Sequence, residues 1–363
     1  MAISRPCYVN RERVTAVPDI KFTARFTDSV DRAIESASDA IDGVCHRRFY
    51  NIDETKYWDW PNFQRAYPWR LWFDQSDIAD VTVNPPVVHT GGDGIDGTQV
   101  LIPANQIKWG PWNYAPPFTF LELDRATNAA FGFGKTPQRD ITITATFGYW
   151  LKLKSAGSLA TALTDTTSTV ITVTNAAALG VGDVATIDTE RMLVTERNMA
   201  DTTQNQQGTG CSTASSADTA LTVTDGTKFF SGETLLLDNE RMNIIDISAN
   251  ILTVRRAWDG TVLQVHSGAR IYAGRQLTVT RGDLGTTAAT HANNATININ
   301  VVPAAVRDYA LALALVQVLD ETGGFTDAQG SGSSRISGIG KSLGDKLDYV
   351  VTKYARKARK RSV

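Results

Sequence analysis

Two stretches of this chain are repeated in an order that simple tandem duplication does not produce. Residues 171–192 read ITVTNAAALGVGDVATIDTERM and residues 221–242 read LTVTDGTKFFSGETLLLDNERM, an ungapped offset of 50 residues. A second pair, LTVRRAWDGTVLQVH at 252–266 and LTVTRGDLGTTAATH at 277–291, is offset by only 25. The order is first half, first half, second half, second half, whereas consecutive copies would alternate at one constant offset. The simplest reading is a nested insertion. Module A then occupies 154–202 and resumes over 276–300, and module B, 203–275, is inserted within it. A swap, in which each first half pairs with the other module's second half, satisfies the same arithmetic and stays open.

Within each module, the alternation in ITVT, VATI and MLVT, broken by Gly and Asp, predicts a small all-β unit. Asp188-Thr-Glu-Arg191 and Asp238-Asn-Glu-Arg241 lie between apolar runs and read as hairpin turns, where Asp and Asn are expected for their turn chemistry alone. The chemical alternatives are calcium binding or an acid–base pair using Glu190 and Glu240, but duplicated active sites in two such small units would be unusual. His266 and His291 stand six residues after Gly260 and Gly285. No second ligand travels with them at metal spacing, so a structural hydrogen bond is expected. Arg281-Gly282-Asp283 spells an adhesion tripeptide, but its counterpart is Arg256-Ala257-Trp258, which points to a turn. The polar stretches LKLKSAGSLATALTDTTST at the entry to module A and TTQNQQGTGCSTASSAD at the entry to module B read as linkers.

The flanks differ in texture. Residues 28–50, DSVDRAIESASDAIDGVCHRRFY, place Val30, Ile34, Ala37, Ile41 and Val44 on one helical stripe, with Thr27 or Asp28 as N-cap. A short helix over 10–17, capped by Asn10 and stopped by Pro18, precedes it. From 51 to 150, the runs TKYWDW, RLWFD, DVTVNPPVV, FTFLELD and ITITATFGYW predict an antiparallel β region, with HTGGDGIDG at 89–97 as a loop. After the modules, Val302-Pro303 opens a helix over 304–322 that is apolar nearly all round and stops at Gly323-Gly324. Gly340-Lys341-Ser342 has the end of a phosphate-binding loop but lacks its first glycine and a preceding strand, so nucleotide binding is not expected. Ser342 with Asp345 reads instead as the cap of a last helix, striped by Leu343, Leu347, Val350 and Tyr354. The chain then ends in a basic run with Lys353, Arg356, Lys357, Arg359, Lys360 and Arg361, suited to phosphates, to an acidic groove or to solvent.

Composition narrows the function. The 363 residues are 42% hydrophobic and 20% charged, with a net charge of -2 and a pI near 6.1, so no global field draws the molecule to nucleic acid or membrane. Cys7, Cys45 and Cys211 are odd in number and lack CxxC spacing, which argues against a disulfide framework or zinc and for a reduced compartment. There is no secretory signal pattern, and the most apolar run, 309–319, falls short of the roughly 20 residues a membrane span needs. No nucleophile stands at a recognisable spacing from a base. No enzyme activity, cofactor, metal site or membrane contact is therefore expected.

One resemblance adds to this. The pattern Ile34-x-x-Ala37-x-x-Ala40-Ile41-Asp42-x-x-Cys45-x-Arg47-x-Phe49 resembles the N-terminal helix of head-to-tail connector, or adaptor, proteins of long-tailed bacteriophages. Ile141-Thr-Ile-Thr-Ala-Thr-Phe147-Gly148-Tyr149 is similar to that family's closing strand, although Ala145 stands where Gly is usual. Val302-Pro303-x-x-Val306 resembles the start of its next helix, and a basic tail comes last. The likeness covers about residues 1–150 and 301–363, with the modules replacing a short connection. It implies an α+β fold: a connector core (1–153 and 301–363) of N- and C-terminal helices with a small antiparallel β region, plus the two nested β modules. It also implies a ring, expected as a dodecamer, at the virion neck and assembled in the host cytoplasm. The ring would bind the portal and the next neck or tail-completion protein and continue a channel for non-specific double-stranded DNA, with the modules facing outward, toward capsid or tail. On this likeness the 30–44 stripe packs subunits and the tail from Lys353 contacts portal or DNA. The alternative is a tail or surface protein whose aromatic β region and modules bind host glycans.

Overall fold

The computed structural model describes residues 3–17, 27–60, 67–73, 76–92, 99–113, 116–323 and 333–356. Strands make up 34% of the structure and helices 21%. This corrects the expected fold class: the protein is mainly antiparallel β, not a helical connector core with a small β region. Many of its strands are short or rich in Thr, Ser and Asn, so they pair without the apolar alternation that marks a strand in sequence. Contact density divides the chain into two compact units, one of Met1–Ala40, Leu153–Asn300 and Ala304–Leu347, the other of Ile41–Lys152, Val301–Pro303 and Asp348–Val363. The first forty residues and the helix after the modules thus group with the modules, across the expected core boundary.

Helix α1 (Arg11–Thr15) is capped as its sequence predicts, with the Asn10 side chain accepting from the Arg13 N–H at 2.9 Å. Helix α2 (Thr27–Cys45) buries Val30, Ala33, Ile34, Ala37 and Ile41. It ends before the expected Tyr50, because His46 turns left-handed at φ 51°. Val44 is therefore 40% exposed, and Cys45 completes the buried stripe in its place.

In the unit containing residues 41–152, the strands are β1 (Ile52–Trp58), β2 (Arg70–Trp72), β3 (Val87–Thr90), β4 (Val100–Ile102), β5 (Ile107–Gly110), β6 (Phe120–Leu123) and β7 (Ile141–Phe147). They form two antiparallel sheets, ordered β1-β7-β3-β4 and β2-β6-β5. Four of the five aromatic and β-branched runs supply most of a strand, whereas DVTVNPPVV supplies only the first two residues of β3 and is bent over 81–84; Leu71, Phe73, Val88, Leu121, Ile141, Ile143 and Phe147 share one core. Gly110 is required by packing: a Cβ there would lie 2.1 Å from Phe120 Cζ, whose ring covers that strand.

The modules supply β8 (Leu153–Ser158), β9 (Val170–Thr172), β10 (Val184–Ile187), β11 (Glu190–Asn205), β12 (Ala220–Thr222), β13 (Thr234–Leu237), β14 (Glu240–Ser248), β15 (Ile251–Arg255), β16 (Arg270–Thr280) and β17 (Thr296–Asn300). Strand pairing is nested. The first half of module A meets its own second half, with Leu193 opposite Thr280 and Ile171 opposite Leu277, while Leu221 pairs with Leu252 inside module B. The order β12-β15-β14-β13-β16-β11-β10-β17-β8, with β9 also on β16, closes on itself twice. Bridges Leu159–Val173 and Gln206–Val223 join the ends, giving two small barrels that share the long β11–β16 ribbon. Closure leaves few open edges. Both expected linkers begin as barrel wall and only then turn: β8 pairs with β17, and β11 runs to Asn205 before the turns around buried Cys211. Their inward residues, such as Ala156, Leu159 and Leu163, are too sparse among Ser, Thr and Gly to read as strands.

Helix α3 (Ala304–Gly323) buries Val306, Tyr309, Ala310, Ala314 and Val318. Polar contacts join it to α2, among them Arg32 to Glu321 at 3.0 Å and Gln317 to Ser36 at 2.9 Å. Helix α4 (Ser333–Tyr354) begins well before the expected cap at Ser342, which lies inside it. Among the described residues no helix is long and apolar enough to cross a membrane.

Candidate functional site

The most organised polar site occurs twice, once in each barrel. The hairpin β10–β11 turns through Asp188 and Thr189, and β13–β14 through Asp238 and Asn239; the two aspartates take φ of 52° and 49°. This turn delivers Glu190 or Glu240 into the barrel end with its carboxylate fully buried. Glu190 accepts Arg281 Nε and Nη2 at 2.7 and 3.0 Å, the N–H groups of Gly282 and Ala289 at 2.8 and 2.9 Å, and faces His291 Nε2 at 2.9 Å. Glu240 repeats this with Arg256 Nε and Nη2, both at 2.7 Å, the N–H groups of Ala257 and Gln264, both at 2.9 Å, and His266 Nε2 at 2.9 Å. The other ring nitrogen meets Asp188 at 2.8 Å or Asp238 at 2.7 Å.

Burial opposes ionisation of these two glutamates, but the arginine, histidine and backbone donors outweigh it and bring each down to about 2. A carboxylate buried and saturated in this way has no path to substrate, so the acid–base possibility for Glu190 and Glu240 has no geometric support. Among the described residues no group of three or more His, Cys, Asp or Glu is arranged to hold a metal. Both nitrogens of each ring are already directed at carboxylates. Arg281 is buried in its ion pair, so the tripeptide it begins is a turn and not a displayed signal.

The residues expected to meet a portal or DNA fall into three groups. Lys357, Arg359, Lys360 and Arg361 lie outside the described residues. Lys353 is exposed and donates to Tyr349 Oη at 3.1 Å. Arg356 is turned inward: its guanidinium pairs with Asp77 and donates to Phe73 O, and its N–H donates to Cys45 O at 2.9 Å. Arg47 approaches the other oxygen of the same buried Asp77 at 3.0 Å and lies over Tyr149, which packs with Phe49 and Tyr354. Arg356 therefore serves to anchor the end of α4. Tyr354 gave the only sequence hint, as the last apolar residue of the helical stripe.

Two clefts remain. One of ≈ 730 Å³ is bordered by the end of α2 and by β1, where Lys56 pairs with Glu54 at 2.8 Å. The other, of ≈ 570 Å³, is lined by α1, the β11–β16 ribbon and the β13–β14 hairpin, with Arg11 bound to Asp31 and Glu196 and Arg241 to Asp259. In both, the charges are largely committed to one another. Compared with known proteins, the chain matches no family model, no curated protein and no solved structure.

Proposed function

We propose that this protein is a non-enzymatic virion component that self-associates into a ring adaptor between portal and tail at a phage neck, with a DNA channel through it. The observation that carries the reading is α3. It is apolar on nearly every side, and such a helix is stable in water only when covered. The chain itself buries the stripe of Val306, Ala310, Ala314 and Val318, and leaves Leu311 and Leu315 half-buried and Leu319 43% exposed. That second stripe, spaced by four residues, suits the same helix of a neighbouring copy. The order of elements adds support, with an amphipathic helix and β region before the modules and an apolar helix with a basic tail after them. The modules then serve as an attachment to capsid or tail.

Light scattering and electron microscopy of the purified chain test this. Rings are expected, with Leu311→Arg plus Leu315→Arg giving a folded monomer. A wild-type chain that stays monomeric alone and with portal would overturn the reading. Removing residues 357–363 should leave rings intact and weaken portal binding; unchanged binding would remove the tail from the contact. A glycan-binding surface protein is the second reading, favoured by the exposed Trp112 and Tyr67 of the aromatic β region. Saturable sugar binding lost on Trp112→Ala would support it.

A further inference from the structure

The position of the protons in the two barrel-end clusters follows from counting donors and acceptors. His291 lies between Asp188 and Glu190, and His266 between Asp238 and Glu240, with every ring nitrogen 2.7–2.9 Å from a carboxylate oxygen. A neutral imidazole has one N–H. In either tautomer it would direct a lone pair at a carboxylate oxygen across one of those contacts. Placing the missing proton on Glu190 or Glu240 instead would put an O–H on a carboxylate that already receives four N–H donors, two of them from a bidentate arginine. Charge gives the same answer. With the ring doubly protonated, each set of arginine, histidine, glutamate and aspartate sums to zero, the aspartate being the member that reaches solvent; with the ring neutral, the set carries one net negative charge.

We propose that His266 and His291 are held as imidazolium cations, each forming a proton-dependent clasp between the hairpin turn of its barrel and the return loop opposite. The charged groups facing His291 are Asp188 and Glu190 from the hairpin and Arg281 from the end of β16. Those facing His266 are Asp238 and Glu240 from the hairpin and Arg256 from the end of β15. Beside each cluster, the residue after the glutamate grips the same return loop, Arg191 through Leu284 O and Arg241 through Asp259. The clasp therefore holds only while both nitrogens of its ring carry protons, because each of them meets a carboxylate oxygen. Two copies of one geometry in a single chain provide an internal control, and the proposal does not rest on the neck reading.

The test is ¹⁵N NMR of the histidine rings in the full chain at pH 7.5. The chain has four histidines, so His46→Gln and His89→Gln leave only the two clasps visible. Both nitrogens of both rings are expected to show imidazolium shifts, and a neutral-ring spectrum from either would overturn the proposal for that barrel. Hydrogen exchange supplies the second arm. Corrected for intrinsic rates, protection of the Gly282 and Ala289 amides should fall at alkaline pH together, as should that of Ala257 and Gln264. His291→Gln should abolish that dependence in the first pair only and His266→Gln in the second only. Wild-type and variant profiles that coincide would refute the clasp. Asp188→Asn and Asp238→Asn, at exposed positions that tolerate change, should move the loss to lower pH and keep the test open where a glutamine variant does not fold.

Discussion

The two barrels share one buried cluster and differ in the carboxylate of the loop before the hairpin, at positions 183 and 233. In the second barrel Glu233 accepts Phe230 N–H at 3.0 Å, takes Arg275 at 2.9 and 2.8 Å, and receives Ala176 N–H at 3.0 Å from the first barrel. In the first, Asp183 accepts Gly180 N–H at 2.8 Å and Asn10 Nδ2 at 2.7 Å, with no arginine among its hydrogen-bond donors. Burial pushes Asp183 up to about 6, against those two hydrogen bonds and with help from nearby Glu12. The cluster is what each barrel needs to close its own end. The loop carboxylate varies with what docks beside it: an arginine and the neighbouring barrel in one case, the N-terminal segment in the other.

The strongest way to break this comparison is to remove the shared element. Glu190→Ala and Glu240→Ala each leave a buried arginine uncompensated, and each should cost about 3–5 kcal/mol in denaturant unfolding. A cost under about 1 kcal/mol in one barrel alone would end the equivalence. Both glutamates are depressed from an ordinary 4.5 to about 2. Their contribution is therefore full above pH 4.5 and should be lost as pH falls through about 2, measurable as a falling Tm. Next in size is the element that differs. Glu233→Gln should cost about 1–3 kcal/mol by weakening the hold on Arg275. Asp183→Asn should have the opposite sign at neutral pH. The folded state prefers Asp183 protonated, so its contribution is full below 3.8 and lost as pH rises through about 6; the asparagine variant should match the wild type at pH 4 and equal or exceed its Tm at pH 8. A loss at pH 8 would mean that the two loop carboxylates do the same work. The smallest effect belongs to the turn. The Asp188 and Asp238 side chains are 68% and 52% exposed, and Asp→Asn at either should cost below about 1 kcal/mol at neutral pH.

The repeat offsets of 50 and 25 made the nested duplication readable, because two continuous halves of matching sequence must come from matching units. The hairpin turns at Asp188 and Asp238, the Asn10 cap and four of the five aromatic strand runs were readable for local reasons of turn chemistry and alternation. The barrel closure was not. Strand β8 and the later part of β11 are Lys-, Ser-, Thr- and Gln-rich, and only their partners across the barrel make them strands. The buried cluster was half readable: His266 and His291 stood out by position, but nothing local showed that Glu190 and Glu240 turn inward to meet them. Arg356 misleads for the same reason. A basic run reads as a solvated tail, and the Asp77 that claims its first arginine lies far back in the chain. The α+β expectation failed because long helices advertise themselves in sequence and short polar strands do not.

The shared ribbon also imposes an order of events on the growing chain. Leu193 meets Thr280, with the whole second barrel between them in sequence. Closing so long a loop carries an entropy cost before any contact rewards it, and non-local pairing of this kind is slow. The second barrel is contiguous and can close first, which brings the two strands of the ribbon side by side and shortens the effective loop for the first. Until residues 276–300 leave the ribosome, β9 and the β10–β11 hairpin wait without β16 and β17, exposed to mispairing with the very similar strands that follow. The first barrel is thus assembled around its own insert, and the insert acts as the template that brings its halves together.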